Sequence, residues 1–197
     1  VLFRSMDNFI STIGGKKELE TRLDTLFTTS SQVDGEEASG DITGLIGQYA
    51  HGNEPSHHIP YLYAWTSQPW KTQYWMREII NRMYRPDIHG LGGNDDCGQM
   101  SAWYVLAACG LYPVCAGDTR YEISSPVFEK TEIQVGEGNT FIIRANRNTP
   151  ENTYIQSAKL NGTDYTRCYL DYRDIMKGGV LELEMGPEPN TNWGVNN

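Results

Sequence analysis

No run of lysine and arginine exists in this sequence. Its 197 residues carry 16 basic against 25 acidic side chains, a net charge of -9 and a pI of about 4.9. Nucleic-acid binding draws on clustered cations that displace counterions, so no nucleic-acid partner is expected. Apolar stretches fall far short of the roughly 20 residues of a membrane-spanning helix, so no membrane span is expected. The four cysteines, Cys97, Cys109, Cys115 and Cys168, match no zinc spacing and read as free, mostly buried thiols. There is no internal repeat and no low-complexity tract. "VLFRSMDNF" has no apolar core of the kind a signal peptide needs, which says little about location if the chain is part of a longer one.

Aromatic residues, in contrast, are plentiful at 11%, with 5 Trp and 12 Tyr. Most aromatics belong to cores, but the supply also suits a protein that stacks flat rings on a ligand.

The apolar spacing changes near residue 118. Before it the spacing is helical. "KKELETRLDTLF" puts Leu19, Leu23, Leu26 and Phe27 on one stripe. "ASGDITGLIGQYAHGN", after Ser39 and Asp41, reads as a short helix at best, weakened by Gly44 and Gly47. "QPWKTQYWMREIINRMYR" predicts a helix with Pro69 in its first turn, ending before Pro86. "GQMSAWYVLAACGLYP" predicts a buried helix, apolar all round and closed by Gly110 and Pro113. After residue 118 the pattern is β. Two alternating runs flank "GEGN", a hairpin turns at Asn161-Gly162, and Leu181, Leu183 and Met185 alternate with Glu182 and Glu184. The expectation is a mixed α and β chain, helical over 1–117 and antiparallel β over 118–197. "MDNFISTIGG" looks like the middle of a helix, and "VLFRS" before it shows no capping signal and reads as a non-native remnant.

Three stretches hold polar groups beside glycine, proline or aromatics. In "GGNDDCGQMSAWY", Asn94, Asp95 or Asp96 could cap the following helix. One carboxylate suffices for that, which leaves the second unexplained. The glycines would let a ligand approach the backbone. Adjacent carboxylates repel, so one tends to raise its pKa or to face a cation. The pair suits a general base acting on water, or a hard-metal site. In "HGNEPSHHIPYLY", Asn53 and Glu54 offer the oxygen ligands that Ca²⁺ prefers. His51, His57 and His58 have no standard zinc spacing, and His57 and His58 could simply bond within a loop capped by Ser56. In "QPWKTQ", Trp70 and Lys71 could meet a sugar; Trp70 and Trp65 could equally be core.

These three stretches, with "YEISSPVFEKTEI" and "PEPNTNWG" in the β half, closely resemble glycoside hydrolase family 92, calcium-dependent bacterial exo-α-mannosidases. The resemblance covers nearly the whole chain. It implies part of an (α/α)6 barrel preceded by a β-sandwich domain, inversion at the anomeric carbon, and mannose-terminated glycans as substrate. By resemblance Asp96 is the first candidate for the base and Asp95 the second. His51, Asn94, Trp70, Lys71 and His57 fall to substrate binding, and Asn53 and Glu54 to Ca²⁺. Some relatives carry a further Asp at the position of Asn94. His51-Gly52 stands where members selective for 1,2-linked mannose have His-Glu; an α-1,2 type is expected although Gly52 departs from that pattern. The family's general acid is a Glu in an "E-G-N-x-W-Q"-like segment that this chain lacks. Glu18, Glu20, Glu36 and Glu37 have no such neighbours. The chain therefore reads as a C-terminal portion, inactive alone, of a periplasmic, secreted or cell-surface enzyme. It needs the missing sandwich domain and the rest of the barrel as partners. A non-catalytic carbohydrate-binding module is the alternative.

Overall fold

The computed structural model describes residues 5–32, 42–115 and 117–195. Residues 1–4 of "VLFRS", together with Glu36, Glu37, Ser39 and Asp41, lie outside the described residues.

Helix α1 (Met6–Thr12) is capped by Ser5, whose hydroxyl accepts from the Asn8 N–H at 3.3 Å. Ser5 is therefore a working N-cap, contrary to the expectation that "VLFRS" carries no such signal. Helix α2 (Lys16–Thr28) buries Leu19, Leu23 and Phe27 on the predicted stripe. The next segment is a hairpin and not a helix: β1 (Leu45–Ile46) pairs antiparallel with β2 (Tyr49–Ala50). Gly44 and Gly47 do more than weaken a helix. Their φ values of 62° and 60° are left-handed, a region open to glycine at little cost. At Gly47 a Cβ would lie 2.4 Å from the Leu26 carbonyl oxygen, so the turn can rest directly on the end of α2.

Two 3-10 helices, Glu54–Ser56 and Ile59–Trp65, lead into α3 (Trp70–Met83), with Pro69 as its N-cap. Helix α4 (Gln99–Ala108) follows. It buries Met100, Trp103, Ala107 and Ala108, but Val105 is 59% exposed and Leu106 39%. The expectation of burial all round holds for one face only, because among the described residues nothing covers the other.

The β elements then begin. Strands β3 (Leu111–Tyr112), β4 (Arg120–Ile123) and, later, β9 (Tyr169–Asp171) form a three-stranded sheet in the order β3-β4-β9. A five-stranded sheet takes β5 (Lys130–Gln134), β6 (Thr140–Asn146), β7 (Tyr154–Leu160), β8 (Thr163–Asp164) and β10 (Gly179–Gly186), with the short helix α5 (Tyr172–Met176) before the last. Its order is β5-β6-β10-β7-β8. Strand β10 enters between β6 and β7. It runs antiparallel to β7 but parallel to β6, with Leu181 opposite Ile143. The sheet is thus mixed rather than purely antiparallel. Hairpin pairing can only be antiparallel, whereas the long return through β9 and α5 leaves β10 free to align with β6. The alternation predicted for β10 is observed: Leu181, Leu183 and Met185 are fully buried between half-buried Glu182 and Glu184.

Two apolar clusters result, one among α1–α4 and the hairpin, the other under the sheets. Helix α3 ties them together. The Gln73 side-chain oxygen accepts from the Ile155 N–H at 2.8 Å. The buried Arg77 guanidinium donates to Ser125 Oγ at 2.8 Å, to the Pro126 carbonyl and to Asn148 Oδ1. No disulfide joins the cysteines: Cys97 is exposed, Cys109 and Cys115 are half-buried, and Cys168 is buried with its thiol donating to the Ala64 carbonyl.

Candidate active site

An open cleft of about 560 Å³ lies between the segment after β2 and the loop before α4. Thr43, Gly52, Asn53, Glu54, Gly93, Asn94, Asp96 and Cys97 line it. Four of the predicted site residues, Asn53, Glu54, Asn94 and Asp96, therefore converge on one cleft from two distant parts of the sequence.

Backbone packing makes this convergence possible. A Cβ on Gly52 would sit 1.9 Å from Thr43 Oγ1, and one on Gly93 would sit 2.8 Å from the Gly52 Cα. The glycines of "GLGGND" thus let two pieces of chain touch, a use different from opening the backbone to a ligand. Thr43 was not singled out from the sequence, and Gly52 only as a departure from the His-Glu pattern; no local spacing links either to residue 93.

The adjacent carboxylates have separate tasks. Asp95 Oδ1 accepts from both the Ser101 N–H and Ser101 Oγ, each at 2.9 Å, and the Asp95 carbonyl accepts from the Gly98 and Met100 N–H groups. The formal N-cap of α4 is Gly98, which has no side chain to offer. Asp95 does the capping from upstream, satisfying the first-turn donors and complementing the helix dipole. It is not among the residues that line the cleft. Asp96 is exposed and does line it. Asp96, Cys97 and Gly98 have φ values of 47°, 58° and 92°. Two consecutive non-glycine residues in the left-handed region cost about 1–2 kcal/mol each, strain of the sort that collects at functional sites.

The histidines assigned to substrate are buried. His51 is fully enclosed: its Nδ1 lies 2.8 Å from Tyr49 Oη and its Nε2 lies 2.8 Å from Tyr84 Oη. Its ring meets Trp103 edge-on at 4.3 Å. Burial, with a smaller contribution from His57, pushes its pKa down to about 3. His57, 1% exposed, sets Nε2 3.0 Å from the His51 carbonyl and Nδ1 3.2 Å from the Gln99 amide nitrogen. Burial lowers its pKa as well. Neither lines the cleft; both stand behind its walls.

Lys71 and Trp70 also lie elsewhere. Lys71 Nζ is 2.6 and 2.7 Å from the Asp24 carboxylate oxygens, and Tyr63 Oη donates to the same carboxylate. Trp70 is half-buried in the first turn of α3. Trp65 has its ring covered by the Arg120 guanidinium at 3.7 Å, and Arg120 pairs with the buried Glu122. Glu18 pairs with Arg22, while the buried Glu20 accepts from the Ser67 N–H.

Oxygen donors dominate the cleft: the Asn53 and Asn94 amides, the Glu54 and Asp96 carboxylates, and the Thr43 hydroxyl. That chemistry suits a hard cation with six to eight oxygen ligands. Among the described residues no group of three or more His, Cys, Asp or Glu side chains could hold a metal.

Comparison with known proteins identifies the family. An "Uncharacterized secreted glycosidase" of Arthroderma benhamiae is 32% identical over 193 residues, 96% of this chain and 23% of that protein. The family GH92 alpha-mannosidase BT3965 of Bacteroides thetaiotaomicron, solved in complex with mannoimidazole, matches with a TM-score of 0.86 at 41% identity. The match covers 92% of this chain and 24% of that one. The Family GH92 Inverting Mannosidase BT2199 of the same organism matches with a TM-score of 0.83 at 37% identity, covering 96% of this chain and 27% of that one. The chain spans about a quarter of the length of these relatives. Residues 2–187 match the family model described as "Glycosyl hydrolase family 92 catalytic domain", and the chain belongs to that family of glycoside hydrolases.

Proposed function

We propose that the chain is the C-terminal portion of the catalytic region of an inverting, exo-acting α-mannosidase that removes terminal α-linked mannose from glycans. One observation carries the reading: Asp96, Asn94, Asn53 and Glu54 line a single cleft while the neighbouring Asp95 is committed to the helix cap. Asp96 is the general base. Its carboxylate takes a proton from a water, and the water oxygen bonds to the anomeric carbon on the face opposite the leaving oxygen. The bond from that carbon to the leaving oxygen breaks as the oxygen receives a proton from an acid outside this chain. Inverting enzymes hold acid and base roughly 6.5–9.5 Å apart to admit the water.

Asn53 and Glu54 are the residues that would hold Ca²⁺, which when bound supplies a hard Lewis acid for sugar hydroxyls. Asn94 lines the same cleft and falls to substrate binding. The α-1,2 preference expected from a His-Glu pair has no side chain at Gly52 to carry it, so the proposal stops at α-linked mannose. Residues 1–117 belong to the (α/α)6 barrel and 118–197 to a β-rich region beyond it. The exposed Val105 and Leu106 on α4 suit packing against the rest of the barrel. The curated relative is named as secreted, which favours an enzyme acting on glycans outside the cytoplasm, in the periplasm or at the cell surface.

The test is Asp96→Asn in the complete enzyme, assayed on an aryl α-mannoside. Turnover falls by about 10³-fold or more, in line with loss of a general base plus its charge, while mannose binding persists. Turnover within a few-fold of the parent refutes the assignment. The present chain, purified alone, should not turn over; if it does, it holds its own acid.

A further inference from the structure

Behind the cleft lies a polar network that stability alone does not explain. Tyr84 Oη donates to the Met100 carbonyl at 3.1 Å, so its oxygen must accept from His51 Nε2–H at 2.8 Å. His51 Nδ1 is then the acceptor for Tyr49 O–H at 2.8 Å. His57 follows the same rule: Nε2–H donates to the His51 carbonyl, and Nδ1 accepts from the Gln99 amide. Trp103 Nε1–H donates to the His57 carbonyl at 3.1 Å. Each proton has one place to go, so both histidines are neutral Nε2–H tautomers.

The network connects two particular objects. One is the arm from His51 to His57, which carries Asn53 and Glu54. The other is the N-terminal half of α4, through Gln99, Met100 and Trp103, which follows directly on the left-handed run at Asp96, Cys97 and Gly98. A well-packed apolar cluster is often as stable as a buried polar one. What a fully satisfied polar network adds is a single geometry, and a strained loop needs one.

We propose that Tyr84, His51, His57 and Gln99 are positioning residues, which fix Asp96 against the Asn53–Glu54 arm without touching the sugar. This rests on reading Asp96 as the base. It also removes His51 and His57 from direct substrate binding. A displacement of about 1 Å of a reacting group can cost on the order of a hundredfold in rate, so the consequence falls on the chemical step more than on binding.

The experiment uses Tyr84→Phe and Gln99→Leu in the complete enzyme, beside Asp96→Asn. Tyr84→Phe keeps the ring stacked on Trp103 at 5.8 Å and removes only the hydroxyl. We expect kcat to drop about tenfold to a hundredfold in each, with KM within about twofold, measured well below the melting temperature. Unchanged kcat beside a lowered melting temperature means that the network is merely structural, and the proposal is overturned. If Asp96→Asn keeps its turnover, the base reading fails instead. Should either variant not fold, ¹⁵N NMR of the unaltered chain decides: His51 and His57 must both be Nε2–H tautomers at neutral pH, and an Nδ1–H or cationic form of either refutes the network.

Discussion

Replacing Gly52 with alanine adds one methyl group at the crossing of the two chains beneath the cleft. Its Cβ would lie 1.9 Å from Thr43 Oγ1 and 3.1 Å from both Thr43 Cβ and the Gly92 carbonyl oxygen. Ordinary contact begins near 3.4 Å, so Thr43 must retreat by more than an ångström or the crossing must open. Overpacking of this kind costs about 1–3 kcal/mol. For a chain of this size that lowers the melting temperature by about 2–4 °C per kcal/mol. Gly52 is not left-handed, so no backbone penalty adds to the figure, and alanine even limits the unfolded chain slightly. The worst contact is with one side-chain oxygen. Thr43→Ala should therefore recover more than half of the loss, a coupling of about 0.5–2 kcal/mol in the double-mutant cycle. Gly93→Ala differs: its Cβ would meet both Thr43 Oγ1 and the Gly52 Cα at 2.8 Å; the second is backbone that no side-chain trimming can move, so Thr43→Ala should rescue it only in part. Calorimetry and urea midpoints for the five variants measure all of this. An unchanged melting temperature in Gly52→Ala, or strict additivity with Thr43→Ala, would refute the close crossing and the cleft floor with it.

The two carboxylates should separate in stability as they do in place. Asp95→Ala removes the cap of α4 and should cost about 0.5–2 kcal/mol by urea denaturation. Asp96→Asn should cost less than Asp95→Ala, since asparagine keeps the side chain's shape and tolerates left-handed φ; equal losses at both positions would contradict the division. Among the described residues Arg77 is a buried cation bonded to neutral oxygens of Ser125, Pro126 and Asn148, and burial lowers its pKa. Arg77→Met should cost about 2–4 kcal/mol by leaving those acceptors unmet, and a loss under 0.5 kcal/mol would show that the acceptors find other donors. Acid titration sets two buried groups against each other. His51, down at about 3, binds a proton on unfolding below about pH 6.5, so stability falls as pH drops. Glu122, raised by burial to about 7 against the pull of Arg120, is protonated in the folded state over pH 4.5–7 and ionised when unfolded, so there stability rises as pH drops. Glu122→Gln removes the second slope, and between pH 6.5 and 5 the variant should lose about 2 kcal/mol relative to the parent's own change. Parallel profiles would rule out the raised Glu122.

Local pattern carried much of the fold. The stripe of α2, Pro69 at the head of α3, the Asn161-Gly162 turn with φ of 52° and 79°, and the alternation in β10 are all decided by neighbours in sequence. What failed was decided by distant partners. Gly44 and Gly47 were legible as poor helix formers but not as a hairpin, because the surface that accepts the Gly47 turn is the end of α2. Strand β10 could be read as a strand, but its place between β6 and β7 depends on a return path that no window of residues contains. In the site, residue types singled out Asn53, Glu54, Asn94 and Asp96, and the fold brings these four to one cleft. The burial of the histidines, like the packing of the glycines, depends on partners far along the chain: His51 bonds to Tyr84, and Gly93 packs on Gly52.

The pair of adjacent aspartates shows how sequence and site meet. Two carboxylates on successive residues repel, and a helix start has use for only one of them. If α4 began at Asp95 in ordinary helical geometry, both would sit in its first turn among the same N–H donors. The left-handed run of Asp96, Cys97 and Gly98 postpones the helix to Gln99. Asp95 then reaches forward to Ser101 while Asp96 lines the cleft. That run costs a few kcal/mol for its two non-glycine residues, and the Asp95 cap of α4 offsets part of it. Which carboxylate reaches the cleft follows from backbone conformation as much as from side-chain identity. A Cys97→Gly variant, which relieves strain at one position, should stabilise the chain by about 1 kcal/mol and at the same time loosen the placement of Asp96.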